Sequence, residues 1–398
     1  MIRHIIKLIW NRKSSLVWIF VEQALVFGIL VACFTNVVNK VSQHLAKGNI
    51  NVDNVMYIGY TRMDRNEKKN DNGETDDATF SALIERIKDW QSVDVISMNS
   101  HGSIPGLNNY SEDSVTFDKG INPIAYGAVV KYCDENYYRM LSLKLSEGEW
   151  YRDADASLEI PPALITQKLA DKAGITSSAI GKNIYYKGRN YHITGVVEAF
   201  KELPNSEQQA VLFMPFSGSA TNNKELAVKI KQGMETEFSK AFFEEFYRYF
   251  PRDQYLIFAM NLSNFMGMQN FFSLLRVYIF SIPTAFLLIF AFLGTFGVVW
   301  MQTKKRLSEM GLRMALGCTP ARMMLTVIAE NMILTTFAML PTLIVVANLY
   351  AFAPRGVEWT MAVIAAIVLM WLFSTFSAWY PARQASRVQP VEALKSQV

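Results

Sequence analysis

Residues 277–300 read VYIFSIPTAFLLIFAFLGTFGVVW. Nothing in this run carries a formal charge, and its 24 residues exceed the roughly 20 that a helix needs to cross the hydrocarbon core of a bilayer. Three further runs of comparable length and polarity flank it at 15–36, 323–349 and 359–380. The first carries Glu22 and Gln23, the third Glu330 and Asn331, and the fourth is uncharged. A composition that is 51% hydrophobic agrees with a chain that spends much of its length in lipid. A cleavable signal peptide is the competing reading of the first run. No small-x-small cleavage site follows it, and Asn36-Val-Val-Asn-Lys-Val reads as a helix continuing outward.

Orientation follows from Lys and Arg in the short flanking segments. Arg3, Lys7, Arg12 and Lys13 precede the first run. Lys304, Lys305, Arg306, Arg313 and Arg322 lie between the second and third, and Arg383, Arg387 and Lys395 follow the fourth. Against these, Arg276 and Arg355 flank the spans on the opposite side. The expected layout is a cytoplasmic N-terminal elbow at 1–14 and transmembrane helices at 15–36, 277–300, 323–349 and 359–380. A cytoplasmic loop at 301–322 and a cytoplasmic tail at 381–398 complete the inner side, and 37–275 lies outside. Cys33, Cys133 and Cys318 then fall in three different compartments, which leaves no intrachain disulfide and no cysteine-ligated zinc site.

The outside segment begins and ends as helix. Val38, Val41 and Leu45 extend an apolar stripe past the first run, and Phe265, Met268 and Phe272, with Leu262, Met266, Phe271 and Leu275, do the same before the second. Two helices rising together as a stalk would cover both stripes. Between them the pattern is α+β. Strands are expected at 55–61, 93–98, 128–133, 163–166, 183–186, 191–197, 211–214 and 226–230, and helices at 79–90, 135–140, 167–173 and 235–249. Residues 187–190 read as a hairpin turn, 66–77 as a charged loop and 101–110 as a loop. Strand–helix–strand at the start and strand–helix at the end imply one subdomain built from both ends, with a second inserted between them.

Catalytic signatures are missing. No phosphate-cradling G-x-x-x-x-G-K-[ST], no H-E-x-x-H and no G-x-S-x-G occurs, and His4, His44, His101 and His192 are scattered over different elements. The chain is expected to bind no cofactor directly and to contact no nucleic acid. Glu22 and Glu330 lie within about two turns of the cytoplasmic face, where an ion pair with Arg12, Lys13 or Arg322 is the expected state, ahead of a proton or substrate site.

The cytoplasmic loop carries a further pattern. Glu309 and Arg313 stand four apart, as do Leu312 and Leu316, so on a short helix between Gly311 and Gly317 they pair by face. The run from Arg306 to Arg322, RLSEMGLRMALGCTPAR, resembles the R-x-x-E-I-G-x-R-x-A-L-G-A-T stretch of MacB/FtsX-type ABC transporter permeases. The tail from Tyr380, YPARQASRVQPVEALK, is similar to that family's P-A-x-x-A-x-x-x-x-P-x-E-A-L-[RK] ending, and 163–170, 180–182 and 191–197 resemble its periplasmic core domain.

The resemblance implies an α-helical membrane protein of the bacterial inner membrane, with four transmembrane helices, both termini cytoplasmic and a large α+β extracytoplasmic domain on a helical stalk. A fused ATPase domain is not expected. ATP would enter through a partner ABC ATPase subunit docked on a coupling loop of Glu309, Gly311, Leu312, Arg313, Leu316 and Gly317. A second permease protomer would complete a homo- or heterodimer among membrane lipids, with a periplasmic adaptor and an outer-membrane channel as further partners. The implied function is mechanotransmission for efflux or release of an amphiphilic or peptide substrate. An FtsX-like signalling module that controls a cell-envelope hydrolase and an ATPase-independent membrane sensor are the alternatives.

The topology is checked by impermeant thiol labelling of spheroplasts. A cysteine introduced between 304 and 322 is expected to react only after permeabilisation, and labelling from outside would invert the layout.

Overall fold

The computed structural model describes residues 13–48, 50–63, 72–100, 102–107, 112–120, 123–216, 224–352 and 357–386. Most of the N-terminal elbow, Arg355, and the tail motif from Arg387 onward lie outside them. The chain divides into two compact units, a helical one of residues 1–42 with 274–398 and an α/β one of residues 43–273.

In the helical unit every apolar run lies inside one longer helix. These are α1 (Lys13–Leu45), α6 (Leu262–Lys305), α8 (Pro320–Phe352) and α9 (Val357–Ala385), and all four are long and apolar enough to cross a membrane. Their interior has two apolar clusters. One gathers Val26, Phe27, Leu30, Ala291, Met339, Ala366, Met370 and Phe373, and the other Val299, Met310, Met323, Val327, Ala378 and Ala382. Between these clusters along the helices sit buried polar side chains. Asn331 Nδ2 donates to Ser374 O (2.9 Å) and Ser374 Oγ (3.0 Å), and Thr335 Oγ1 donates to Ser374 Oγ (3.0 Å), which fastens α8 to α9. Gln23 and Thr295 are also buried, and their side-chain polar atoms have no hydrogen-bond partner among the described residues.

The α/β unit contains two sheets. The first is antiparallel, in the order β11-β1-β10-β2, from β1 (Val55–Arg62), β2 (Val93–Ser100), β10 (Lys224–Ile230) and β11 (Tyr255–Asn261). Helices α2 (Asn72–Ile87) and α5 (Glu235–Tyr249) contribute Phe80, Leu83, Ile84, Ile87, Phe238, Phe242 and Phe246 to one core with Ile58, Leu226, Val228 and Ile257 of this sheet. The second sheet is inserted between β2 and β10, as the strand pattern implies. Its order is β5-β8-β6-β9-β4-β3-β7, from β3 (Glu112–Thr116), β4 (Ala125–Cys133), β5 (Leu145–Gly148), β6 (Pro162–Thr166), β7 (Asn183–Tyr186), β8 (Arg189–Val197) and β9 (Val211–Pro215). Strand β7 pairs with both β3 and β8, so the sheet folds back on itself. The short helices α3 (Tyr137–Met140) and α4 (Gln167–Lys172) complete the unit.

Several sequence expectations need correction. Helix α2 starts at Asn72 rather than 79, so the charged stretch 66–77 is helical in its second half, while 64–71 lie outside the described residues. The 187–190 turn contracts to Lys187-Gly188. Both residues have positive φ (46° and 77°), as a two-residue type I′ hairpin requires, and Tyr186 pairs with Arg189. Strands β3, β5 and β11 were not anticipated. Glu112-Asp-Ser-Val-Thr116 is too charged and Leu145-Ser-Glu-Gly148 too short to signal a strand. In β11, Tyr255 and Ile257 alternate inward with the exposed Leu256 and Phe258, a period-two signal that the neighbouring helix pattern masks.

Asp134, just after β4, joins the two sheets. Its carboxylate accepts from Ser97 Oγ (2.7 Å) and Met98 N (2.8 Å) of β2 and from Asn136 N (3.1 Å). Burial raises its pKa from 3.8 to about 6 against the pull of these donors, and Asp153 nearby adds to the rise. With a folded pKa above the unfolded one, the group's stabilising contribution is complete below about pH 4 and is lost as pH rises through 6. The loss relative to Asp134→Asn is expected to total about 3 kcal/mol, mostly between about pH 4 and 6. Hydrogen exchange at β2 and α3 in the full chain measures it, and a pH-independent difference between the two proteins would contradict the assignment.

Candidate functional site

Helix α6 ends at Lys305, and after Arg306 the chain forms a separate helix, α7 (Leu307–Ala315). The expectation of a helix between Gly311 and Gly317 is corrected: Gly311 lies inside it and is buried, whereas Gly317 ends it. Gly317 has φ +95°, Cys318 N donates to Arg313 O (3.0 Å) and Gly317 N to Met314 O (3.0 Å), the paired bonds of a Schellman stop. Pro320 then occupies the first position of α8, where its missing N–H costs nothing. A left-handed glycine and a helix-starting proline three residues later make a tight corner of defined geometry.

The amphipathic character of α7 decides what it offers. Met310 is buried in the cluster with Val299, Met323 and Val327, and Met314 packs against the same cluster. On the other side, Leu312 is 51% and Leu316 80% exposed. Ion pairs fix the helix in place. Arg313 Nη2 meets Glu309 Oε1 at 2.6 Å, the i,i+4 pair the spacing implies. Arg306 contacts Glu309 Oε2 (3.4 Å) and both oxygens of Glu330 (2.6 and 3.4 Å), a two-pronged grip between the start of α7 and helix α8. The partner of Glu330 is therefore Arg306 rather than Arg322, while Arg12 and the side chain of Lys13 lie outside the described residues. Sequence reasoning placed Arg306 in the family motif without giving it this role. Its position three residues before Glu309 at a helix start was the available signal.

Glu22 behaves differently. It lies against Gly294, where a Cβ would meet its Oε1 at 2.9 Å, and among the described residues it forms no ion pair. The stripe residues are largely uncovered within one chain. Val38 and Phe265 are half-buried, and Val41, Leu45, Met268 and Phe272 are more than half exposed. Among the described residues no group of histidine, cysteine and carboxylate side chains could hold a metal ion.

Comparison with known proteins places these features. The MacB-like periplasmic core domain description matches residues 24–240, and the FtsX-like permease C-terminal description matches residues 281–390. The ABC transporter permease YknZ of Bacillus subtilis (strain 168) is 22% identical over 282 residues, covering 67% of this chain and 70% of that protein. The macrolide export ATP-binding/permease protein MacB of Neisseria meningitidis (serogroup A, strain Z2491) is 21% identical over 276 residues, covering 65% of this chain, and the chain spans only 42% of its length. Among solved structures, the periplasmic region of MacB from Actinobacillus actinomycetemcomitans aligns over 55% of this chain and 93% of its own, with 17% identity and a TM-score of 0.38. The extracellular domain of YknZ aligns over 52% of this chain and all of its own, with 14% identity and a TM-score of 0.35. With more than half of its residues inside the first family description and three of its membrane-length helices reaching into the second, this chain belongs to the MacB/FtsX family of ABC transporter permeases.

Proposed function

We propose that this chain is a mechanotransmitting permease of the bacterial inner membrane, driven by a separate ATPase subunit that docks on α7. Membership of the family brings a multi-pass membrane protein and a non-catalytic permease role, and in general an ATPase partner and a dimeric arrangement. The observation that carries the finer reading is the exposure of Leu312 on, and Leu316 at the C-cap of, a helix fixed by Arg306, Glu309 and Glu330. An apolar pair at i,i+4 on a rigid short helix suits insertion into a groove of a partner protein. Rigid attachment to α8 through the Arg306–Glu330 grip lets a displacement of α7 pass into the membrane helices instead of being absorbed locally.

Three further assignments belong to the same proposal. Both termini and the 301–322 loop are cytoplasmic, because the flanking Lys and Arg concentrate there. A second protomer covers the exposed stripe of Val41, Leu45, Met268 and Phe272, since apolar faces outside lipid gain by burial. The cargo is an amphiphile or peptide handled on the outer side, and a periplasmic adaptor and an outer-membrane channel complete the route.

Burying one leucine is worth roughly 1.5–3 kcal/mol, and Leu316→Asp also adds a charge, so ATPase affinity should fall more than about tenfold. ATPase recovered per permease in nanodiscs measures this, beside Leu158→Asp, a matched change at an exposed outer position. Undiminished recovery with Leu316→Asp would remove α7 from the docking site. Glu330→Gln, which weakens the grip on Arg306 without touching the exposed leucines, is expected to leave ATPase recovery intact while lowering substrate-stimulated ATP turnover severalfold. Equal loss of both would mean that Glu330 acts by holding α7 folded.

A further inference from the structure

The end of α1 is gripped by a loop that is buried as few loops are. In the segment between β8 and β9, Phe200, Lys201, Glu202 and Asn205 are all at most 5% exposed. Helix ends leave four carbonyls without intrahelical partners, which side-chain donors can satisfy. Lys201 Nζ donates to Gln43 O (2.8 Å), one of those last carbonyls, and to Pro204 O (3.4 Å). A cation at this end also meets the negative pole of the helix, which offsets the burial that pulls the Lys201 pKa down.

Other contacts join the same segment to the same helix end. His44 Nδ1 and Asn205 Oδ1 are 2.8 Å apart, Gln208 Nε2 donates to Lys47 O (3.0 Å), and Lys47 Nζ meets Glu198 Oε1 (2.5 Å). Gly48 (φ +104°) passes so close that a Cβ would lie 2.9 Å from Ala199 Cβ and 3.0 Å from Phe200 N, which excludes any larger residue.

The neighbouring residue is anchored to the opposite side. Glu202 Oε1 pairs with Lys131 Nζ of β4 at 2.7 Å, with side chains 3% and 0% exposed, and Glu202 Oε2 accepts from Gly106 N (3.0 Å). Lys131 Nζ also donates to Gly102 O (3.1 Å) and Ser103 O (3.2 Å). Glu225 of β10 accepts from Gly102 N (3.0 Å) and Ile104 N (3.1 Å). Two adjacent residues thus hold the end of α1 with one side chain and, with the other, β4 of the second sheet and the 102–106 loop that Glu225 ties to the first sheet. Breaking a buried pair leaves an uncompensated charge, so the network resists local yielding.

We propose that Lys201 and Glu202 form the joint through which displacement of α1 reaches both sheets of the outer unit. The inference rests on the proposed reading that displacement passes through the membrane helices, of which α1 is one, and it assigns that motion an entry point into the α/β unit. Lys201 and Glu202 are positioning residues; neither needs to contact cargo.

Hydrogen exchange of the full chain in nanodiscs separates a joint from two independent structural contacts. Lys201→Met, Glu202→Gln and the milder His44→Ala are compared with the wild type. A joint predicts that each substitution raises exchange at both places, residues 43–47 and residues 102–106, by about tenfold for the first two and less for His44→Ala. If Lys201→Met and His44→Ala loosen only 43–47 and Glu202→Gln loosens only 102–106, the joint is overturned. Should Lys201→Met fail to fold, the other two variants decide the same question. A second arm adds a non-hydrolysable ATP analogue to the permease–ATPase complex. Exchange at 102–106 is expected to change in the wild type and not in Lys201→Met. If the two regions respond together to substitution but the wild type does not respond to the analogue, the joint stands and mechanotransmission fails.

Discussion

A bilayer supplies no hydrogen bonds, so a crossing segment must satisfy its backbone internally, and this chain meets that demand with helices longer than the demand itself. Helix α6 has 44 residues, about 66 Å at 1.5 Å per residue, against a hydrocarbon core of about 30 Å. The surplus carries regular, stiff backbone beyond the lipid without an intervening loop. Helix α1, with 33 residues, does the same at the other end of the α/β unit. What such an element joins is set by the contacts that hold its ends.

Both ends are held by charge. Arg306 is shared between Glu309 and Glu330 at the Lys305 end of α6, and Lys201 and Glu202 sit at the Leu45 end of α1. The two arrangements differ in exposure. The arginine cluster is partly open, where an ion pair alone contributes little and the gain is geometric. The Lys131–Glu202 pair is sealed, where removal of one partner is severe and the pair itself specifies a single arrangement. Hydrophobic burial supplies most of the cohesion of each unit, and these charged contacts fix particular elements to one another.

Features governed by local spacing were legible in the sequence. The four membrane-length helices follow from uninterrupted apolar runs, the Glu309–Arg313 pair from a separation of four, and the inserted architecture from the order of strand and helix patterns. The exposed leucines of α7 could also be read from their spacing. What escaped depends on partners distant in the chain. Arg306 and Glu330 are 24 residues apart and Lys131 and Glu202 are 71 apart, and no periodicity links such positions. Glu112–Thr116 becomes a strand because β4 offers it a partner edge, despite a composition that favours a loop. The boundary errors at Asn72 and Arg189 arise where helix-end and turn chemistry extend an element past its apolar core.

The insertion of the second sheet has an evolutionary consequence. It leaves the first sheet after β2 and returns at β10, and these strands are hydrogen-bonded neighbours with Ser100 paired to Lys224. Departure and return are therefore about 5 Å apart. A module whose two ends lie that close can be exchanged for another as a cassette, with a simple hairpin as the minimal closure. Any replacement would have to restore the contacts that Asp134 makes with β2 and that Glu198, Lys201, Asn205 and Gln208 make with residues 43–47. Such an exchange would leave the four membrane-length helices and the first sheet unchanged.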